Sequence, residues 1–339
     1  MNIRHRIIEL PFHYPFTISK GTKTHQRIFQ VELEWRGTRG YGEAPEIAYY
    51  NIPAATMQSD LENKLKFVEN FALTTPDRFW HFLHHLFPSN PFLVCALDIA
   101  AWDLYGKLMR KPLYQLFSAD PSEMPVTDYT IGIADSEAMI QKIVDNPWPV
   151  YKIKVGTAGD IERLRDLRTR TNAVLRVDAN GGWTMYDAEN NLGHLSEMGI
   201  ELVEQPLSKE DWEGIKKLKA ISPLPLFADE SCVTESDVGK CSEGFHGINI
   251  KLTKCSGITP AKRMITEARS LGLKIMIGCM NESAIGTAAI AHLGPLVDYL
   301  DADGPLLLKD DPVEGLKYIE AKLQLVPAPG LGVNVDPFY

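Results

Sequence analysis

Eight ionisable residues in the second part of the chain sit at the ends of short apolar stretches: Lys152, Lys154, Asp178, Glu204, Asp229, Lys251, Asp301 and Asp303. A charge inside an apolar strand is costly unless it is paired or liganded. One such residue is ordinary, but six stretches carrying them call for a use. Asp178, Glu204 and Asp229 come from three consecutive stretches, and converging carboxylates repel one another unless a cation lies between them. No His or Cys shares their positions, and an all-oxygen donor set favours Mg²⁺, or Mn²⁺, over zinc. Any one of the three could pair with a lysine or cap a following helix; that accounts poorly for all three.

The elements that must position these residues are read from the spacing. Apolar stretches begin at residues 128 (DYTIGI), 150 (VYKIKVG), 174 (VLRVDAN), 200 (IELVEQP), 224 (LPLFADES), 247 (GINIKLTK), 273 (LKIMIGCM) and 299 (YLDADGP). Polar segments with helical patterning, such as DIERLRDLRTRT, separate them. Eight βα units predict an α/β fold, a (β/α)-barrel, with a doubly wound sheet as the structural competitor. In such barrels reactive groups stand at the C-terminal ends of strands. Lys152 and Lys154, two apart on one strand, share a face. Lys251 lies four strands on, on the opposite wall. Two lysines facing each other across a cation form a two-base arrangement suited to proton abstraction and return. A neutral lysine serves as general base, and nearby positive charge lowers its pKa toward that role. A lone strand-end lysine would more simply snorkel to the surface. Asp301 and Asp303, placed by this reading at the rim of strand eight, suit a cationic group on a substrate; capping of a helix before Gly304-Pro305 is the plainer use.

Before the repeat, residues 2–10 and 27–35 alternate like antiparallel strands, GTRGYGEAP reads as Gly and Pro punctuation, and residues 55–117 carry helical patterning. The predicted division is an N-terminal α+β domain over 1–122, a barrel over 123–314, and a segment over 315–339 that rejoins the first domain. The chain has 339 residues and a net charge of −9 without a basic stripe, which argues against nucleic acid as a partner. Five cysteines without ligand spacing suggest reduced thiols and a cytoplasmic location. The opening residues lack a signal-peptide apolar run, and no stretch suits a membrane helix. A homo-oligomer is compatible with all of this.

These motifs resemble the enolase superfamily, in its muconate-lactonizing subgroup. The matching segments are KIK at Lys152 to Lys154, DAN from Asp178, EQP at Glu204, ADES around Asp229, and NIKLTKCSG around Lys251; ALDIAAWDLYGKL and GYGEAP resemble the family's capping-domain segments. DAD at Asp301 and Asp303 resembles the mark of the dipeptide epimerases within that subgroup. The resemblance implies an enolase-like modified barrel under an α+β capping domain, Mg²⁺ on Asp178, Glu204 and Asp229, and a 1,1-proton transfer through an enediolate. It implies Lys154 and Lys251 as the two bases, Lys152 and the metal at the substrate carboxylate, and Asp301 and Asp303 at a dipeptide's ammonium. Thr130 and Cys279 fall where family members contact the substrate backbone. An isomerase inverting the C-terminal residue of an L-Ala-X dipeptide is therefore expected.

The loop Pro15 to Thr24 (PFTISKGTKT) resembles the flexible capping loop that meets the substrate side chain. Family members acting on alanyl-glutamate use an arginine there; Gly21 takes that place here, with Lys20 and Lys23 nearby, and lysine is no equivalent bidentate partner. An uncharged or apolar side chain is expected. The alternatives are an N-acylamino acid racemase or o-succinylbenzoate synthase, which have no ammonium to bind; a muconate cycloisomerase, whose diacid substrate Asp301 and Asp303 would repel; and a non-catalytic binding barrel.

Overall fold

The structure, a computed structural model, describes residues 1–338. An antiparallel sheet opens the chain: β1 (Asn2–Ile18), β2 (Gly21–Trp35) and β3 (Thr38–Pro45). The first two strands run further than their alternation predicts. Their register holds from Asn2↔Glu34 to Pro11↔His25, breaks, and resumes at Phe16↔Lys23. The far end of this hairpin therefore projects as a finger past the sheet.

The segment GTRGYGEAP is not punctuation, as expected from its glycines, but β3. A Cβ at Gly40 would stand 2.3 Å from the Ala100 carbonyl oxygen, and one at Gly42 2.0 Å from that of Ala96. The glycines let a helix lie directly on the strand, a close-approach role that turn statistics do not separate from a turn. Helices α1 (Ala54–Glu69), α2 (Pro76–Leu86) and α3 (Pro91–Leu108) follow, then a single turn, α4 (Leu113–Leu116). Asn90 caps α3 by accepting from the Leu93 amide at 3.0 Å, with Pro91 at the first helical position. Nearly every α3 side chain is buried, because the helix is wedged between the sheet and the next domain. There Trp102 Nε1 donates to Thr259 Oγ1 at 2.9 Å, and the Thr259 amide donates to Asp98 Oδ2 at 2.9 Å.

The remainder is the expected parallel barrel. Its strands are β4 (Tyr129–Ile131), β5 (Val150–Lys154), β6 (Val174–Asp178), β7 (Ile200–Glu204), β8 (Leu226–Ala228), β9 (Gly247–Lys251), β10 (Lys274–Gly278) and β11 (Tyr299–Asp301), hydrogen-bonded in sequence order. Helices α5 (Ser136–Asp145), α6 (Asp160–Arg168), α7 (Met185–Glu197), α8 (Trp212–Ile221) and α9 (Asp237–Gly244) cover it. The turn α10 (Leu252–Cys255) precedes α11 (Ile258–Ser270) and α12 (Ala284–Leu293). After the last strand stands only a short turn, α13 (Gly304–Leu307). The ring closes through a parallel bridge between Thr127 and Leu300. Beneath the mouth Arg176 donates to Asp128 at 2.9 Å and to Glu201 at 2.7 Å, which satisfies a cation inside the barrel floor.

The last residues return to the first domain. The Leu331 amide donates to Asp103 at 2.8 Å and the Phe338 amide to Glu32 at 3.1 Å, while the Arg6 guanidinium stands 4.1 Å from the Phe338 ring centre. No helix of the described residues is long and apolar enough to cross a membrane.

Candidate active site

Five adjacent strands, β5 to β9, end in one row of charge: Lys154, Asp178, Glu204, Asp229, Lys251. Register aligns Lys154 with Asp178 and Asp178 with Glu204. The three carboxylates are buried, and each offers an oxygen within 4.8 Å of the others. The lysines stand on the two flanks. Lys154 Nζ donates to Asp178 Oδ2 at 2.6 Å, and Lys251 Nζ donates to Asp229 Oδ2 at 2.7 Å. Lys152 lies behind, its Nζ 2.7 Å from Asp301 Oδ2, 2.8 Å from Glu204 Oε2 and 3.2 Å from Asp178 Oδ2.

The acid triad fits a divalent cation on its own chemistry. Glu204 Oε2 is buried and makes no hydrogen bond, since the nearby Lys152 ammonium is misaligned with it. Burial and the neighbouring Asp178 and Asp229 push Glu204 up to about 7. Burial also works against the charge of Asp178 and Asp229, but the lysines beside them outweigh it and hold both below the usual range. A carboxylate oxygen without a donor, among hard oxygen donors, matches Mg²⁺ ligation.

The acids around Lys251 and Lys152 set the charge state of these lysines. Burial does favour their neutral forms, yet Asp229 with Glu204 and Asp301 around Lys251, and Asp301 with Glu204 and Asp178 around Lys152, outweigh it and hold both well above the ordinary value. The carboxylates available as cation ligands are the ones pairing with these ammoniums.

The second acid pair is also placed differently from its reading as a rim. Asp301 and Asp303 are 3% and 1% exposed. β11 ends at Asp301, and Asp303 opens α13 without capping it through its side chain. Its Oδ2 accepts from the Thr130 amide at 2.6 Å, and its Oδ1 lies 3.5 Å from Cys279 Sγ. Burial and Asp301 raise Asp303 to about 6, whereas Lys152, Lys251 and Lys154 overcome burial and lower Asp301. Lys152 wires this pair to the triad. Thr130 and Cys279, both expected at the site, thus meet it through Asp303.

Three supporting residues escaped the sequence reading. Gln205 Oε1 accepts from the amides of Asp229 and Ser231 at 3.0 and 3.1 Å, bracing the loop that carries Asp229. Its φ of 36° and the 46° of Asn180 put left-handed residues directly behind two of the acid-bearing strands, a strain typical of functional sites. Asn249 donates to Glu204 Oε1 at 2.9 Å, and Lys254 Nζ donates to Asp229 Oδ1 at 2.6 Å. The signals available were the second Lys of KLTK and the Gln of EQP; neither interrupts an apolar pattern.

Comparison with known proteins agrees with this architecture. The family model described as the mandelate racemase/muconate lactonizing enzyme N-terminal domain matches residues 2–118, and the enolase C-terminal domain-like model matches 135–339. An L-Ala-D/L-amino acid epimerase of Flavobacterium johnsoniae is 45% identical over 330 residues, 97% of this chain and 98% of that protein. The substrate-liganded L-Ala-D/L-Glu epimerase from Bacillus subtilis superposes with a TM-score of 0.93 at 30% identity, covering 98% of each chain. A dipeptide epimerase from Cytophaga hutchinsonii, complexed with Mg and D-Ala-L-Val, superposes with a TM-score of 0.94 at 27% identity, covering 99% of this chain and 96% of that one.

Proposed function

The chain belongs to the mandelate racemase/muconate lactonizing enzyme family, and from that premise we propose that it is an isomerase, a Mg²⁺-dependent dipeptide epimerase inverting the α-carbon of the C-terminal residue of L-Ala-X. The observation that carries this reading is the order Lys–Asp–Glu–Asp–Lys across five adjacent strand ends, with a buried acid pair wired to it through Lys152.

Asp178, Glu204 and Asp229 would hold the cation, which would supply electrophilic stabilisation of charge developing on a substrate carboxylate and would offset the carboxylates' hold on the lysine protons. Lys152 donates to that carboxylate and fixes its position. Lys154 and Lys251 stand on opposite faces of the α-carbon. One accepts the α-proton on Nζ as the C–H pair moves into the carboxylate, giving an enediolate. The other delivers a proton from its Nζ to the opposite face, re-forming the C–H bond with inverted configuration. The ammonium of Lys152 meets the charge at its maximum, where electrostatic stabilisation contributes most. Asp301 and Asp303 receive the dipeptide's ammonium, with Thr130 and Cys279 holding Asp303. That pair favours a free amine over the N-acyl substrates of racemases and of o-succinylbenzoate synthase. The capping loop offers no arginine for a side-chain carboxylate, so X is uncharged or apolar.

The divisions at 1–122, 123–314 and 315–339 belong to the same reading, supported by the contacts of Leu331 and Phe338 with the first domain. A cytoplasmic location is supported by five unpaired cysteines.

The test is incubation with Mg²⁺ in D₂O and a pool of L-Ala-L-X dipeptides, followed by mass spectrometry. Deuterium is expected at the C-terminal residue's α-carbon, and EDTA should abolish its uptake. Uptake into no dipeptide would overturn the reading. A strong preference for alanyl-glutamate over alanyl-alanine would overturn the specificity.

A further inference from the structure

The finger of the β1–β2 hairpin is seated on the barrel mouth. The Ile133 amide, just past β4, donates to the Thr17 carbonyl at 2.9 Å. Two glycines leave room for it: a Cβ at Gly132 would lie 3.0 Å from the Thr17 carbonyl oxygen, and one at Gly156 would lie 3.2 Å from Ser19 Cβ. Ser19 Oγ is buried there with no hydrogen-bond partner. At the tip, Lys20 Nζ donates to Glu230 Oε1 at 3.2 Å and stands 3.9 Å over the Tyr49 ring, a geometry for a cation–π contact. Lys209, from the loop after β7, approaches the same ring at 5.6 Å. Glu230 is nearly buried, and its Oε1 also accepts from Asn180 Nδ2 at 3.3 Å. Lys20 thus joins the hairpin, the turn carrying Tyr49, and the strand-end loop next to Asp229.

We propose that Lys20 is the latch of the capping hairpin and that, with its charge committed to Glu230 and Tyr49, it is not a free cation for the side-chain subsite. It acts by engagement: it closes the mouth for every dipeptide and serves as receptor for no acidic side chain. The subsite clause rests on the dipeptide reading above; the latch does not. The companion lysine cannot substitute, because Lys23 turns to Gln26 at 3.3 Å on its own strand.

The test uses Lys20→Met, which keeps the side-chain length and removes the charge, with Lys20→Arg as the conservative control. Limited trypsin digestion of the full chain is followed at Lys23, paired with Phe16 in the hairpin that the latch holds on the mouth. Lys20→Met should speed that cleavage roughly fivefold, the scale of one partly buried ion pair with a cation–π contact, and Lys20→Arg should restore protection. In assays, kcat/KM of Lys20→Met should fall by a similar factor for alanyl-glutamate and for dipeptides with apolar X. Unchanged cleavage at Lys23 would overturn the latch. A loss confined to acidic dipeptides would show Lys20 to be their receptor and overturn the proposal. If wild type turns over no dipeptide, the dipeptide reading fails, while the digestion still decides the latch.

Discussion

At the scale of single residues, the two flanking lysines make the sharpest prediction. If Lys154 and Lys251 serve opposite faces, each Lys→Met variant should lose epimerisation by on the order of 10³-fold. Each should still exchange the α-proton of one diastereomer in D₂O, and the two variants should retain opposite ones. NMR of each diastereomer reads this directly, and retention of the same isomer by both variants would refute a two-base site. Glu204→Gln tests the cation ligands separately: it should weaken Mg²⁺ binding in calorimetry while leaving the fold intact by circular dichroism, because Gln keeps the Asn249 contact through one oxygen. The lysines and acids were legible in the sequence because each breaks an apolar stretch. Gln205, Asn249 and Lys254 were not, because their partners are backbone amides and carboxylates of other strands and loops, brought near only when the barrel assembles.

At the scale of elements, all eight barrel strands were legible from the recurrence of apolar stretches, and α3 from its unbroken helical spacing. β3 was not. Its Gly40 and Gly42 read as turn residues, since local patterning carries no sign that a helix backbone will lie against them. The same closeness makes Gly42→Ala a test of how α3 is held. The obstacle is the Ala96 carbonyl, which no side-chain rotation can relieve, so strand and helix must separate. A loss of about 3 kcal/mol, the upper end of ordinary overpacking, is expected in urea unfolding. A loss below about 1 kcal/mol would mean that the interface is looser than its contacts imply.

At the scale of the whole molecule, His292 ties the barrel to the rest. It lies on α12, accepts the Tyr114 amide on Nδ1 at 3.2 Å and pairs through Nε2 with the Leu331 carbonyl at 3.1 Å, so the neutral ring satisfies both neighbours. Burial lowers its pKa to about 4. Above about 6.5 the ring is neutral in folded and unfolded chains alike. As pH falls below that, only the unfolded chain takes up the proton, and stability declines until about 4. Between pH 6.5 and 5 the decline from this group is about 2 kcal/mol. Glu43 and Glu282, raised by burial to about 7, act in the opposite sense, losing their contribution as pH rises through that value. They are common to wild type and His292→Gln, so the difference between the two proteins at pH 7 and pH 5 isolates the histidine. Equal losses in both would exclude it.

The return of the C-terminal residues to the opening sheet has a consequence for synthesis on the ribosome. Glu32 and Asp103 await amides from Phe338 and Leu331. At about 5 to 20 residues per second, those partners emerge roughly 15 to 60 seconds after β1. Through that interval the nascent first domain exposes an unfilled seam, a natural place for a chaperone to hold it.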